Sequence, residues 1–216
     1  MSDNNQQARP LCPENRTEYC TIRFLHSAAR QDAVNICIGN KPLAFNLQYG
    51  EVSSYYIETA GFKTINITSA KMPNMILERE TFLFQDGDVY TIALVNGRNG
   101  FAMYPISDAP CRTIRQKFSC VRAVNLSYNS PALNVTAQRG MICFEDLRFK
   151  TIAPYRQIIQ GKQEFYVSET ASGAAAFHTT QSITQGRMYT LYIIGDAYGS
   201  PDLSPVFTED YSGLQD

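Results

Sequence analysis

Few residues of this chain could do acid–base or metal chemistry. Its 216 residues include two histidines, His26 and His178, which fall at unrelated positions of the internal repeat described below. A metal site needs three or four convergent ligands, and no H-E-x-x-H, P-loop, G-x-G-x-x-G or nucleophile-elbow motif occurs. We therefore predict no catalytic residue, no metal site and no cofactor.

Carboxylate pairs are the remaining route to hydrolysis, because a glycosidase needs only two such groups. The candidates are Glu78 with Glu80 and Asp86 with Asp88. Gly87 separates the second pair, and aspartate is favoured beside a turn glycine for local hydrogen bonding. The two glutamates flank an arginine, as at the solvated start of a strand. These interpretations favour a protein that is not an enzyme.

The six cysteines are the most informative polar residues. They contain no C-x-x-C spacing, which disfavours a zinc site or a thioredoxin-type motif. Cys37 and Cys143 have apolar neighbours, which is typical of buried free cysteines. The others lie just before and at the start of the first strand of each repeat copy, and are disulfide or cross-link candidates: Cys12, Cys20, Cys111 and Cys120. Either they stay reduced or form local bridges, or an arm cysteine such as Cys12 joins a neighbouring subunit.

Charge and hydropathy exclude several partners. The formal net charge is −1, with lysines and arginines scattered along the chain, so we predict no nucleic-acid partner. No run approaches the about 20 apolar residues that span a bilayer. Residues 1–10 are too polar for a signal peptide. The sequence therefore predicts neither a membrane span nor a leader, and a cytoplasmic location is compatible with it.

An internal repeat is the strongest signal in the sequence. A shift of 99 residues aligns apolar, tyrosine and glycine positions of the two halves without gaps. The matched pairs are residues 22–23 with 121–122, 33–36 with 132–135, Tyr56 with Tyr155, 87–92 with 186–191, and Cys12 with Cys111. Two copies of one domain are therefore expected in tandem.

Each copy is predicted to consist of β-strands. Short runs rich in Ile, Val, Thr, Tyr and Phe are separated by turn residues, and residues 64–68 alternate strictly between polar and apolar. About seven short strands per copy are typical of a β-sandwich. The predicted fold is all-β, with two tandem antiparallel β-sandwich domains of immunoglobulin-like or transthyretin-like type. The predicted strands are 21–26, 34–38, 53–58, 64–68, 80–84, 90–95 and 101–104, then 120–125, 133–137, 155–159, 164–168, 177–180 and 189–194.

The repeat also sets the domain boundaries. We predict a polar, cysteine-bearing arm at residues 1–19, a first domain at 20–106, a linker at 107–118, a second domain at 119–207 and an acidic tail at 208–216. Both ends are expected to behave as arms.

The strand and turn patterns resemble a bacterial family, the domain-of-unknown-function family numbered 4397. The resemblance rests on residues 22–28, 33–36, 49–53 with Tyr56, 60–61 and 88–92, and it covers both copies. The sequence departs from the family pattern at Asn35 and Asn134, where members usually have aspartate. The resemblance implies a β-sandwich of cell-envelope or surface type and supplies no catalytic residues. The expected location is the surface of a bacterial cell or spore.

Two functions fit these predictions. The first is a structural, self-associating surface protein, such as a cell-envelope, spore-coat or filament subunit, in which edge strands or arms join copies of the chain. The alternative is a surface module that binds a glycan or peptide through exposed aromatic rings. The aromatic candidates for stacking on a ligand are Tyr49, Tyr55, Phe101, Tyr104 and Tyr128.

Overall fold

The computed structural model describes residues 17–98, 100–111, 114–137 and 140–211. They form sixteen β-strands, eight in each half of the chain. The first half contains β1 (Tyr19–His26), β2 (Val34–Ile38), β3 (Lys41–Leu47), β4 (Tyr56–Thr59), β5 (Gly61–Ser69), β6 (Ile76–Phe84), β7 (Val89–Gly97) and β8 (Gly100–Ser107). The second contains β9 (Phe118–Asn125), β10 (Leu133–Ala137), β11 (Ile142–Leu147), β12 (Arg156–Ile159), β13 (Gly161–Glu169), β14 (Ala175–Ile183), β15 (Met188–Ile194) and β16 (Ser204–Glu209).

Each half forms two four-stranded sheets with the same topology. In the first domain the orders are β4-β1-β7-β8 and β3-β2-β5-β6, and in the second they are β12-β9-β15-β16 and β11-β10-β13-β14. The all-β, tandem sandwich prediction is confirmed. One ladder in each domain departs from the antiparallel rule, because β1 pairs parallel to β7 and β9 pairs parallel to β15.

Period-two alternation builds the core of each domain. In β5 the side chains of Ile65 and Ile67 are fully buried, whereas Thr64 and Asn66 on the other face are only partly covered. Such alternation places every second side chain between the sheets. Phe24, Phe84 and their neighbours fill the first core, and a separate cluster around Phe165 fills the second.

The repeat has two registers. Arg23 and Arg122 are equivalent at a shift of 99, and so are the starts of β6 and β14. The hairpin after β10 is one residue longer than the hairpin after β2, so β4 and β5 align with β12 and β13 at a shift of 100. The structural partner of Tyr155 is therefore Tyr55, not the Tyr56 that a constant shift predicts, and both tyrosines precede the short strands β4 and β12.

The C-terminal boundary also differs from the predicted one. β16 continues to Glu209, and Asp210 is buried, so these residues belong to the second domain rather than to a free tail. The rest of the predicted tail, 212–216, and most of the predicted N-terminal arm, 1–16, lie outside the described residues. No helix in the described ranges is long and apolar enough to cross a membrane.

A third apolar cluster joins the two domains. Leu25, Val95 and Ile106 of the first domain pack with Val124 and Tyr192 of the second, and all five are fully buried. The interface therefore has a buried, apolar centre.

Two arginines flank this cluster and make reciprocal ion pairs. Arg23 of β1 donates to Asp210, which follows β16, at 2.5 Å. Arg122 of β9 donates to Asp108, which follows β8. Each arginine thus binds the carboxylate at the end of the other domain. All four side chains are at least 96% buried, with exposures of 2%, 0%, 4% and 0%.

The same threonine and tyrosine partners complete both pairs. Thr91 and Tyr55 donate to Asp108 at 2.6 and 3.0 Å, and Thr190 and Tyr155 donate to Asp210 at 2.6 and 2.7 Å. Each guanidinium lies over one tyrosine ring, 4.5 Å from Tyr55 and 4.6 Å from Tyr155. The buried charges are therefore paired and hydrogen-bonded, which burial requires. We call the two arginines, the two aspartates and their threonine and tyrosine partners the double clamp.

Candidate interaction surface

The edge strands differ in how well they are protected. An edge strand presents unpaired N–H and C=O groups, and proteins guard such edges with charged residues, proline, irregular pairing or short length. Each of the four sheets has two edges. Seven edge strands carry guards: Lys41 and Pro42 in β3, Glu58 in β4, Glu78, Arg79 and Glu80 in β6, Pro105 in β8, Glu145 and Asp146 in β11, Arg156 in β12, and Pro205 and Glu209 in β16.

The eighth edge strand, β14, is open. Its nine residues, AAFHTTQSI, contain no Asp, Glu, Lys, Arg or Pro. It pairs with β13 on one side and, among the described strands, has no neighbour on the other. A register shift opposite Val167 and Ser168 of β13 interrupts the pairing at the start of β14. From Phe177 to Ile183 the pairing with β13 is continuous. β14 therefore has the length and composition that favour addition of another strand.

The first domain supplies an internal comparison. β6 lies at the equivalent edge, has the same nine-residue length and reads ILERETFLF. At a shift of 99, its Glu78, Arg79 and Glu80 occupy the positions of Phe177, His178 and Thr179. The two copies of the domain therefore differ in charge at the centre of this one edge.

An aromatic pair lies on the outer face beside this edge. The ring of Tyr166 in β13 stacks on His178 of β14, with centroids 6.0 Å apart and planes inclined by 23°. Tyr166 donates its hydroxyl hydrogen to Glu164 at 2.7 Å, and this hydrogen bond to a carboxylate raises the pKa of Tyr166. Tyr166 is 48% exposed. A shallow groove beside it also includes Met141 and Ile159.

The five predicted stacking aromatics lie elsewhere and do not form one surface. Phe101 is buried against His26, so its ring has no face open to a ligand. Tyr55 belongs to the double clamp, and Tyr49 and Tyr104 pack on the apolar cluster between the domains. Tyr128 is exposed, with its hydroxyl 3.3 Å from Asp196. Four of the five therefore serve the core or the domain interface.

The cysteine candidates differ between the two copies. A disulfide joins Cys111 to Cys120 across nine residues, which is the local type of bridge. Cys20 is a free thiol buried in the first core, and burial raises its pKa. Cys12 lies outside the described residues.

A one-residue offset explains this difference. Cys120 is equivalent to Thr21, and Cys20 is equivalent to Ser119, because β1 and β9 align at a shift of 99. Neighbouring residues of a strand point to opposite faces. Cys20 therefore faces the core, whereas Cys120 faces the side from which Cys111 approaches, so the two cysteine pairs are not equivalent as predicted.

The remaining predicted polar candidates have local roles. His26 is fully buried and its Nε2 lies 3.1 Å from the carbonyl oxygen of Asp32. Asp88 accepts from the N–H of Gln85 within the turn, in agreement with the turn interpretation. Asp86 instead accepts from the backbone N–H of Tyr19 in β1, which is distant in sequence. Among the described residues no three His, Cys, Asp or Glu side chains are grouped to hold a metal ion.

Sequence reasoning missed the open edge, although the signal was present. Alignment of the two copies places the charged run 78–80 against the uncharged run 177–179. That contrast becomes informative only when both segments are known to be edges, which depends on strand order rather than on local pattern.

One family model matches the chain twice, in agreement with the repeat. A crystal structure of a protein provisionally assigned to cell adhesion, from Bacteroides ovatus ATCC 8483, shares 7% identity over 93% of this chain and 100% of its own, with a TM-score of 0.24. A structure from Bacteroides ovatus provisionally assigned as an adhesin shares 6% identity over 90% and 95%, with a TM-score of 0.22. No curated protein matches significantly. The family described as domain of unknown function DUF4397 matches twice, at residues 20–136 and 119–215. The chain therefore belongs to the DUF4397 family, as a tandem pair of its domain.

Proposed function

We propose that this chain is a non-enzymatic surface module that associates through strand addition at β14. The observation that carries the proposal is the contrast between β14 and the other edges. Seven edge strands contain charge or proline, and β14 contains neither. A strand added there would satisfy the free backbone groups of β14 without burying a charged side chain.

The double clamp supports a mechanical role for the rest of the molecule. Buried ion pairs and an apolar cluster hold the two domains together. A fixed arrangement of domains lets one bound edge set the orientation of the whole chain. No chemistry is needed for such a function.

The disulfide supports a location outside the cytoplasm. Disulfides persist in oxidising compartments and are rare where glutathione keeps thiols reduced. The Cys111–Cys120 bridge closes the segment that leads into β9, so the second domain gains from an oxidising environment. A cell-surface location of this module is part of the proposal.

Introducing a charge at the edge tests the proposal. Thr179→Glu gives β14 the residue that β6 has as Glu80, so the fold should tolerate it. Burying an unpaired carboxylate in the new ladder should cost at least about 1.4 kcal/mol, which raises the dissociation constant for self-association by about tenfold. Sedimentation equilibrium over a concentration series measures that constant.

The matched control is Thr81→Glu, which makes the same change in net charge on β6. It should leave association unchanged, because β6 is already charged. Equal losses in both variants would show a general effect of charge and would contradict a specific role for β14.

Tyr166 favours a second candidate function, binding of a glycan. Its half-exposed ring lies beside the carboxylate of Glu164, and an aromatic face next to hydrogen-bonding groups suits a sugar ring. A glycan array tests this with Tyr166→Ala and, as a matched control, Tyr198→Ala, since Tyr198 is 77% exposed in the loop between β15 and β16. Hits that only Tyr166→Ala removes would support glycan binding, and an array without hits would refute it.

A further inference from the structure

We infer that the strand added at β14 is β14 of a second copy, paired antiparallel about Thr179, so that two chains form a closed two-fold dimer. This rests on the proposed function. It adds the partner, the register and the stoichiometry, and it replaces open-ended growth with a dimer.

The number of open edges sets the stoichiometry. A filament needs at least two binding surfaces on each subunit, so that each added subunit leaves a free one. The described strands provide one open edge per chain, because the other seven are guarded. When β14 pairs with β14, both open edges are used. Association should therefore stop at two copies.

The composition of β14 suits pairing with itself. Thr179 is the fifth of the nine residues from Ala175 to Ile183. In an antiparallel pair centred there, Thr179 lies opposite Thr179 of the second copy, and His178 lies opposite Thr180 of the second copy. Thr–Thr pairs directly across strands are favourable, and the strand carries no aspartate, glutamate, lysine or arginine that could repel its copy.

The same operation on β6 would be unfavourable. Its fifth residue is Glu80, so pairing about the centre would place two glutamates opposite each other. Like charges directly across a strand pair are destabilising. The chain therefore has one edge that accepts its own copy and an equivalent edge that rejects it.

Engineered cysteines test the register. The background variant replaces Cys12, Cys37 and Cys143 by serine, which leaves buried Cys20 and the disulfide. Directly opposite residues of an antiparallel pair have Cα atoms about 4.5–5.5 Å apart, within the range of a disulfide. Thr179→Cys should therefore cross-link to itself under mild oxidation. Ala176→Cys and Ser182→Cys should each fail alone and cross-link when the two variants are mixed.

Two further measurements separate the inference from the proposed function. The first is the mass of the uncross-linked chain, which should reach a plateau at twice 24.3 kDa. The second is binding of a labelled synthetic peptide AAFHTTQSI, which reports whether the edge accepts a strand at all.

Each outcome decides one statement. A plateau at the dimer mass with the expected cross-links supports the inference. Larger polymers, or cross-linking of Ser182→Cys alone, overturn it and leave strand addition standing. A monomer that binds the peptide also overturns the inference only. A monomer that does not bind the peptide overturns both.

Discussion

At the scale of single residues, the double clamp shows how charge can hold two domains together. Arg23 and Arg122 are almost completely buried, and each reaches a carboxylate at the end of the opposite domain. Because a guanidinium and a carboxylate lose water together, neither is left unpaired. The double clamp therefore determines which domain ends lie together. Its contribution is the pairing of specific charges rather than the burial of more apolar surface.

Removing one clamp carboxylate should strongly destabilise the chain. Asp210→Ala removes the direct partner of Arg23 and leaves it with Asp108, whose Oδ2 lies 4.0 Å from Arg23 Nη2 and which already pairs with Arg122. Losing this buried pair should cost about 3–5 kcal/mol of unfolding free energy. The control is Glu58→Ala, which removes the partner of Lys41, itself 62% exposed, and should cost at most about 1 kcal/mol. Urea unfolding measures both values. A loss below 1 kcal/mol for Asp210→Ala would contradict the importance of the clamp.

His26 should make stability depend on pH. Burial lowers the pKa of His26 below its ordinary value of 6.5, so the unfolded chain takes up a proton more readily than the folded one. Its stabilising contribution is complete above pH 6.5 and is lost as the pH falls from 6.5 toward the folded-state value. His26→Asn, which introduces the residue found at the equivalent Asn125, should flatten this loss.

The matching control for this experiment is His178→Asn, measured at a protein concentration where the chain is monomeric, because His178 is exposed there but lies on the proposed association edge. Thermal unfolding at a series of pH values compares the variants. An unchanged slope in His26→Asn would assign the pH dependence to other groups.

Residue type alone could not reveal the unequal cysteines. The sequence places a cysteine pair at the start of each copy, but Cys20 and Cys120 differ by one position in the strand register. A one-residue shift moves a side chain to the other face of a sheet. The spacing of the cysteines in the sequence does not reveal this shift, because the equivalent positions of β1 and β9 are known only from the strand pairing.

At the scale of elements, regular strands could be predicted and irregular ones could not. The strict alternation of β5 identifies it from sequence. β3 escapes prediction because two register shifts and the positive φ of Asn46 interrupt its period. β16 begins with the residues SPV, which do not alternate between polar and apolar.

Replacing the charged residues of β6 should create a second edge that accepts an added strand. The triple variant Glu78→Phe, Arg79→His and Glu80→Thr gives β6 the central residues of β14. A chain with two open edges can join neighbours on both sides, so we expect dimers to grow into longer chains. Light scattering measures the rise in mass. A triple variant that remains a dimer would show that edge charge does not control association.

At the scale of the whole molecule, the duplication explains both the stability and the asymmetry of the chain. The two domains share topology, and the double clamp uses equivalent residues from each. The repeat itself could be predicted from sequence, because similar residues recur at a nearly constant spacing along the chain. The clamp could not, since it depends on how the domains dock.

Divergence after duplication left one edge open. The first copy keeps charge at the centre of β6, and the second has none at β14. Among the described edge strands, the chain therefore has one that contains neither charge nor proline, and its two domains are joined by the double clamp.

Hydrogen exchange of the wild-type chain tests the central claim most directly, because β14 and β6 can be followed in the same experiment. Raising the protein concentration should slow exchange of the outward-facing amides in residues 175–183, since a second strand would bind them. Residues 76–84 of β6 should exchange at the same rate at every concentration. Equal concentration dependence of exchange in the two segments, or protection of β6 alone, would contradict the assignment of β14 as the edge that binds a second strand.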